Sequence, residues 1–577
     1  MKTPKKECYG SLAHLGFPEP VVDVSPAPGG GWLLRCPLEL QAYPPTIIHR
    51  LQKHAQRFPE RLALSEEDGD GSVNQLDFAT LWRMVCVIAP ELKMICNGKP
   101  LMILSGNSIE HAVLRYAAMA AGIAAAPVSP GYSLLANHFE KLVHVFKSCC
   151  PGAIFVQDTG TFSAALEALE NRPPVIAVND TAGLADIRFT EFLDEAVSGS
   201  LVKIDPDSLV VDSAAQIIFT SGSTGMPKGV VHTHTNLVSS LAQSQLGVDE
   251  DKPNEEHQEI ASWLPWHHVS GCTVLHLAMC QGHSLYLDRG RPIRGQEQAT
   301  IDLLKYVSMR FYVNVPLGYE ILIDALEKDD ELARRFLMTM RFLIFGGAGI
   351  TAETFKRYAR LAMRVKGEKV PFISAYGSTE TTSSITMTYF DADASGLIGL
   401  PLPGLVIKLK PSHGKFEVRV KGPNVTPGYL QGGEGLFDRE GFLKMGDLAE
   451  WVDADDFNKG LRFAGRVAEE FKLRSGTWVA GSRLRGRLLD LCSPLVREVV
   501  ICGLNREYVS ALVWLNDQAC EKMSEDYNPS KPWQSKLVSS FIEDKVLPYN
   551  RRNPGSSTCI KRIRFMVEPP SISMGEV

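Results

Sequence analysis

Between Phe219 and Gly229 the chain sets four hydroxyl residues, Thr220, Ser221, Ser223 and Thr224, among three glycines, Gly222, Gly225 and Gly229, with a single cation, Lys228. Glycines leave backbone N–H groups uncovered, the hydroxyls add further donors, and the lysine adds a mobile positive charge. Together they suit a polyphosphate that must be held and then partly released. The apolar run Ala215-Gln216-Ile217-Ile218 leads in, and reads as a buried strand that stops abruptly in this loop. A flexible glycine–serine linker is the competing reading, but linkers seldom follow a buried strand or carry one lysine. The common P-loop pattern is not met, because Lys228 has Pro227 before it and Gly229 after it.

A second constellation is Ser374-Ala375-Tyr376-Gly377-Ser378-Thr379-Glu380. Here an aromatic face can stack on adenine, the Thr379 hydroxyl can donate to a phosphate, and Glu380 can bind Mg²⁺ on a triphosphate. Alone, the pattern also fits a polar turn. Before it comes the glycine-rich turn Phe345-Gly346-Gly347-Ala348-Gly349, and after it the pairs Gly446-Asp447 and Gly465-Arg466. The segment Leu264-Pro265-Trp266-His267-His268 carries adjacent histidines. Neighbouring residues point to different sides and no third ligand is near in sequence, so the pair does not read as a metal site.

These residues need a large scaffold. A chain of 577 residues exceeds one hydrophobic core and implies two or more domains. A formal charge of −6 gives no reason to expect nucleic acid or an anionic membrane as partner. Lys2, Lys5 and Lys6 are not followed by an apolar core, so no secretory signal is expected. The apolar stretch around Ala117 to Val128 is short and reads as a core helix, not a membrane span. Twelve scattered cysteines point to reduced thiols and a cytoplasmic setting. Strand-like runs such as Pro100–Leu104, Ala261–Leu264, Phe311–Val315 and Met340–Phe345 alternate with helical patterns such as Ile109–Ala121. That alternation predicts parallel sheets covered by helices. From about Gly396 the texture changes to short strands and tight turns, which suggests a small β-subdomain. The best single division falls near residue 466, followed by a last α/β segment around Val496 to Leu515.

Five separated motifs in order, from about residue 45 onward, resemble the adenylate-forming acyl-activating enzymes: acyl-CoA synthetases, peptide-synthetase adenylation domains and beetle luciferases. The resemblance implies an α/β fold, with a large N-terminal adenylation domain (1–465) and a small mobile C-terminal domain (466–577). It implies ATP, Mg²⁺ and coenzyme A, a small carboxylic acid as substrate, and two steps through an acyl-AMP. Thr220, Ser221 and Lys228 would hold the β- and γ-phosphates with Gly222, Ser223, Thr224 and Gly225. Thr379 would take the α-phosphate, and Glu380 with Thr220 the metal. Gly347, Ala348, Tyr376 and Gly377 would face the purine. Asp447 would accept from both ribose hydroxyls, with Arg466 supporting ribose and phosphate. His268 would gate the acyl tunnel, and Lys472 would serve the thioester-forming state.

A narrower likeness, to feruloyl-CoA synthases, is carried by the strings 314–319, 422–429, 471–479 and 568–571. Other aromatic or medium-chain acids, a carrier-protein thiol as acceptor, and a nucleotide-binding pseudoenzyme remain open alternatives. Two departures stand out. The hinge segment of relatives ends in a Pro-x-Glu-hydrophobic-Glu run, where this chain has Gly481-Ser482-Arg483-Leu484-Arg485. The family pattern also places a catalytic lysine after Gly575, where Glu576 stands. The expectation is a truncated tail and slowed adenylation. The oligomeric state is not legible.

Overall fold

The computed structural model describes residues 10–69, 71–135, 138–198, 203–221, 225–246, 257–293, 295–392 and 396–568. Helix α1 (Ile47–Arg57) buries Ile47, Ile48 and Leu51 and leaves Lys53 and Arg57 exposed. Strand β1 (Leu101–Leu104) is buried throughout, and helix α2 (Ile109–Ala120) follows it. A strand with apolar residues on both faces must be covered on both faces, which is the habit of parallel sheets. β1 indeed lies inside a seven-stranded sheet. Its order is Ile187–Arg188, Val175–Asn179, Ala153–Asp158, β1, Ala125–Pro127, β2 (Ala214–Ser221) and β3 (Pro227–Thr233). All neighbours run parallel except β2 and β3.

Helix α3 (His234–Ser244) leaves β3 through a capping box formed by Thr233 and Asn236. Helix α4 (Val269–Gln281) starts at His268 and ends on Gly282, in the left-handed conformation that glycine adopts without strain. Next come the parallel strands β4 (Phe311–Asn314), β5 (Phe342–Gly346) and β6 (Phe372–Ser378), and antiparallel to β6, β7 (Ser383–Met387). Through Leu397–Pro401 the same sheet continues to β8 (Leu443–Trp451) and β9 (Leu461–Arg466). It ends on two hairpins, Val406–Ser412 with Lys415–Lys421 and Asp23–Pro26 with Trp32–Arg35. Beyond residue 470 a separate core gathers Leu473, Val479, Leu488, Val499, Val513 and Ile542. Among the described residues no helix is long and apolar enough to cross a membrane.

Four sequence expectations are adjusted. β2 does not stop at Ile218 but runs on to Ser221, and Pro227-Lys228-Gly229 belongs to β3. Thr220 therefore sits opposite Lys228 on a ladder, and Ser221 opposite Pro227. The strand expected at Ala261–Leu264 is Glu259–Ser262. The antiparallel strands after residue 396 are continuous with the parallel strands β4 to β6 in one eleven-stranded sheet. Finally, the segment before residue 45 contributes the Asp23–Arg35 hairpin, whose Pro28-Gly29-Gly30-Gly31 turn is closed by Ala27 N–H donating to Gly31 O at 3.0 Å.

Candidate active site

The β2–β3 hairpin is strapped to the Thr379–Thr381 turn by the segment 424–430. Leu430 N–H donates to Gly229 O at 2.8 Å, and Val231 N–H to Gly428 O at 3.1 Å. Thr426 N–H donates to Glu380 O, and the Thr426 hydroxyl to Val231 O. Asn424 Nδ2 donates to Thr381 O at 2.8 Å, and Thr382 Oγ1 returns a bond to Asn424 O. Asn424 and Thr426 are wholly buried, so these bonds satisfy groups that would otherwise be orphaned. A Cβ on Gly229 would stand 2.7 Å from Leu430 Cδ1 and 3.0 Å from Phe219 Cε1, so a larger residue there would have to displace these side chains.

The strap ends in Tyr429, which joins two of the predicted residues. Its hydroxyl donates to Glu380 Oε1 at 2.8 Å, and Lys228 Nζ lies 5.5 Å from its ring centroid. Burial and the neighbouring Glu380 carboxylate raise the Tyr429 hydroxyl's pKa, so it stays protonated and donating. Glu380 Oε2 accepts no protein hydrogen bond among the described residues. An oriented carboxylate with an uncommitted oxygen suits a hard cation such as Mg²⁺. Gly225 is the first described residue after the turn, with φ +87°; Gly222, Ser223 and Thr224 lie outside the described residues.

Behind the turn runs a buried chain with one direction. Tyr116 OH donates to His276 Nδ1 (3.0 Å), His276 Nε2 to Gln216 Oε1 (3.1 Å), Gln216 Nε2 to His232 Nδ1 (3.0 Å), and His232 Nε2 to Thr379 O (2.7 Å). Each imidazole thus donates from one nitrogen and accepts at the other, which requires it to be neutral. Burial lowers the His232 pKa to about 4 and that of His276 well below the usual value. His267 and His283 are likewise pushed down to about 3. The unfolded chain takes up these protons first, near the ordinary histidine value. The histidines' contribution to stability is therefore fully present above about pH 6.5 and is lost as pH drops toward 4, by about 1.4 kcal/mol per pH unit for each, against an opposite change from Glu66, whose carboxyl is raised to about 7 by burial. Urea unfolding at pH 7 and pH 5 checks this, and equal stabilities would contradict it.

Across the site, β8 and β9 pair Asp447 with Arg466. Asp447 is nearly buried; Oδ2 accepts from Tyr376 OH at 2.8 Å, and Oδ1 lies 3.5 Å from Arg466 Nε. Burial raises the Asp447 pKa, with Tyr376 and Arg466 opposing. The Arg466 side chain is 66% exposed, so it has room to turn toward a bound phosphate. Gly346 and Gly347 line the cavity mouth; a Cβ on Gly346 would lie 2.9 Å from Ala375 O, which explains the glycine there.

His268 stands at the N-cap of α4, its ring tilted 47° against that of His267 with 4.5 Å between centroids, and lines a cavity of about 1050 Å³. Its loop is held from beneath by residues the sequence reading did not select. Asn107 Oδ1 accepts from Trp266 N and Asn107 Nδ2 donates to Leu264 O, both at 2.9 Å. Arg115 is completely buried, and its hydrogen bonds go to neutral acceptors: Trp266 O at 2.9 Å, His111 Nε2 at 3.0 Å and Cys272 Sγ at 3.2 Å. Asn107→Ala leaves two buried backbone groups unpaired and should cost about 2–5 kcal/mol. Its melting temperature should fall and its KM for the acid should rise; a wild-type KM would show that the loop keeps its shape unaided.

Two other predicted features lie apart. Lys472 sits on the ribbon Glu470–Lys472 and Trp478–Ala480, its ammonium 5.7 Å from the Trp478 centroid and not in the cavity wall. The divergent hinge stretch opens the helix Gly481–Cys492, and Arg485 binds Glu498 through two bonds of 2.9 Å. Residues 569–577, including Glu576, lie outside the described residues.

Residues 51–430 match the family described as AMP-binding enzyme. The chain is 24% identical over 533 residues to the peroxisomal OPC-8:0-CoA ligase 1 of Arabidopsis thaliana, covering 88% of each chain. It is 28% identical over 319 residues to the probable 4-coumarate–CoA ligase 1 of Dictyostelium discoideum, spanning 53% of each. Among solved structures it is similar to ATP-bound MatB from Rhodopseudomonas palustris, with a TM-score of 0.69 at 20% identity over 91% of this chain and 95% of that one. The o-succinylbenzoate CoA synthetase of Bacillus subtilis gives a TM-score of 0.67 at 20% identity, over 93% and 97%. These likenesses establish the fold, an α/β adenylation architecture.

Proposed function

The chain belongs to the AMP-binding enzyme family, and on that premise we propose that it is an acid–thiol ligase, which joins a carboxylic acid to AMP from ATP and then passes the acyl group to the thiol of coenzyme A. One observation carries this reading. A single cavity begins at Gly346, Gly347, Gly377 and Thr379, beside the Glu380–Tyr429–Lys228 group, and runs past His268 into an apolar chamber.

In this reading Lys228 neutralises charge on the departing pyrophosphate, and Thr379 positions the α-phosphate. Asp447 and Arg466 fix the ribose, and the apolar chamber keeps water from the mixed anhydride. Glu380, with Thr220 across the hairpin from Lys228, would hold Mg²⁺, which supplies charge neutralisation on the triphosphate. The same reading keeps the division near residue 466: the segment beyond it would move between the two half-reactions and present Lys472 for the second.

For the acid, the first proposal is a hydroxycinnamate such as ferulate or coumarate. Of the strings behind it, Asn314 and Val315 do line the cavity. Asn314 Oδ1 accepts from Trp263 Nε1 at 3.1 Å, and Gly318 leaves room for it, since a Cβ there would meet Oδ1 at 2.2 Å. The string 422–429 braces the phosphate hairpin instead. A second reading is a longer acid: the cavity of about 1050 Å³ also has to take the nucleotide at Gly347 and Thr379, but its lining continues past His268 along Thr273, Leu277 and Cys280. Incubation with ATP, Mg²⁺, CoA and a graded panel of aromatic and aliphatic acids, read by mass spectrometry, tests both. Acyl-CoA from aromatic acids alone supports the first reading and from long acids the second; no thioester from any acid would sink the proposal.

A further inference from the structure

Part of the cavity wall comes from a segment that lies ahead of the family match at residues 51–430. Gly10–Ser11 pairs antiparallel with Phe390–Asp391, soon after β7, and Leu12 next to it is buried. A tight turn follows at Ala13–Leu15, in which Leu15 N–H donates to Leu12 O at 2.8 Å and Gly16 N–H to Ala13 O at 2.9 Å. Arg341 Nη2 donates to Leu15 O at 3.0 Å, and the Ser11 hydroxyl to Glu19 Oε1 at 2.7 Å. Beyond it the Asp23–Arg35 hairpin joins the large sheet, so the turn is anchored on both sides. Leu15, Gly16 and Phe17 face the cavity.

Phe17 is the ring with consequences. Its centroid lies 5.2 Å from that of Phe342, edge-on at 64°, and Phe342 stacks on Phe311 at 5.9 Å. Phe342 and Phe311 are the first residues of β5 and β4, so the phenyl rings form a row across the strand starts. At its other end β5 finishes on Gly346, beside Gly347 and Thr379 in the same wall. A five-residue strand separates those ends by roughly 13 Å. Between them the lining is apolar, with Val313 and Ile344 paired side by side. An acid whose carboxylate sits near Thr379 would lay its tail along β5 and meet the phenyl row after about that distance.

We propose that Phe17 is the floor of the acyl chamber and limits the length of the acid this chain activates. The preferred substrate is then a medium-length alkyl acid, or an aryl acid with a short tail, that ends against the Phe17 ring. This assignment rests on the acid-activating reading of the same cavity and names its substrate class. Phe17 is a half-buried side chain on a loop, not a strand residue, so its size can be changed without disturbing the sheet beneath it.

The test compares the wild type with Phe17→Ala, which lowers the floor, and Phe17→Trp, which raises it. Each receives ATP, Mg²⁺ and CoA with two graded series, straight-chain acids from hexanoic to octadecanoic and para-alkoxycinnamic acids of increasing alkoxy length. Relative to the wild type, the kcat/KM ratio of long over short members should rise about tenfold in Phe17→Ala and fall about tenfold in Phe17→Trp, through KM, the scale on which an apolar pocket discriminates a methylene. Calorimetric titration of the same acids without ATP should show the same opposite shifts. Should Phe17→Ala fail to fold, the tryptophan variant decides alone. An unchanged length profile in both variants, or a uniform loss at every length, would overturn the floor assignment and leave the ligase reading intact. Absence of turnover with any acid would count against the ligase reading, and the calorimetry would still decide the floor.

Discussion

Lys228→Ala should lower the rate of acid-dependent adenylation by about a hundredfold or more, with a much smaller change in ATP affinity. The reason lies in where the ammonium rests. Lys228 faces Thr220 across the hairpin, and its charge sits 5.5 Å from the Tyr429 ring, a contact it can exchange for phosphate oxygens. On the proposed reading the lysine matters most when pyrophosphate departs and new charge accumulates. The backbone of β3 is held by the 424–430 strap whatever the side chain, so the variant should fold. Rapid-quench measurement of acyl-AMP formation, beside ATP titration of tryptophan fluorescence, separates the two effects. Weakened ATP binding at an unchanged rate would assign Lys228 to binding alone.

Glu380→Gln should depress adenylation by a similar factor, about a hundredfold, and shift the Mg²⁺ requirement to higher concentration. The amide oxygen can still accept from Tyr429, so the local bond of 2.8 Å has a replacement and the turn keeps its shape. What is lost is the negative charge and the second oxygen that suits a hard cation. Tyr429→Phe separates orientation from charge. It removes the hydroxyl that aims the carboxylate but leaves the carboxylate, so its loss should be closer to tenfold, within the worth of a hydrogen bond to a charged group. If the glutamine variant kept its rate and its Mg²⁺ midpoint, the carboxylate would have only a structural role.

Much of this site was legible in the sequence because its chemistry is local. Glycines and hydroxyls after a buried strand suggested a phosphate loop, and Tyr376, Thr379 and Glu380 fall at the end of β6 and in the turn that follows it. Asp447 and Arg466 are 19 positions apart, yet an antiparallel pairing brings them together, as the resemblance implied. The supporting residues were not legible, since each acts across a distance that only packing determines. Tyr429 reaches Glu380 over 49 positions, His232 reaches Thr379 over 147, and Asn107 reaches Trp266 over 159. None of these partners announces itself in the sequence: the role of Arg115 follows only from its full burial beneath the His268 loop. The loop's extent was misjudged for a related reason. Ser, Thr, Gly and Pro look like turn residues, but opposite one another on paired strands they simply extend the ladder.

The most direct test of the central claim is exchange of radiolabelled pyrophosphate into ATP, measured without CoA and with one carboxylic acid at a time. The adenylation reading predicts exchange that requires both Mg²⁺ and an acid, needs no thiol, and falls about a hundredfold in Lys228→Ala. Label entering ATP without any acid, or no exchange with any aromatic or aliphatic acid, would contradict it.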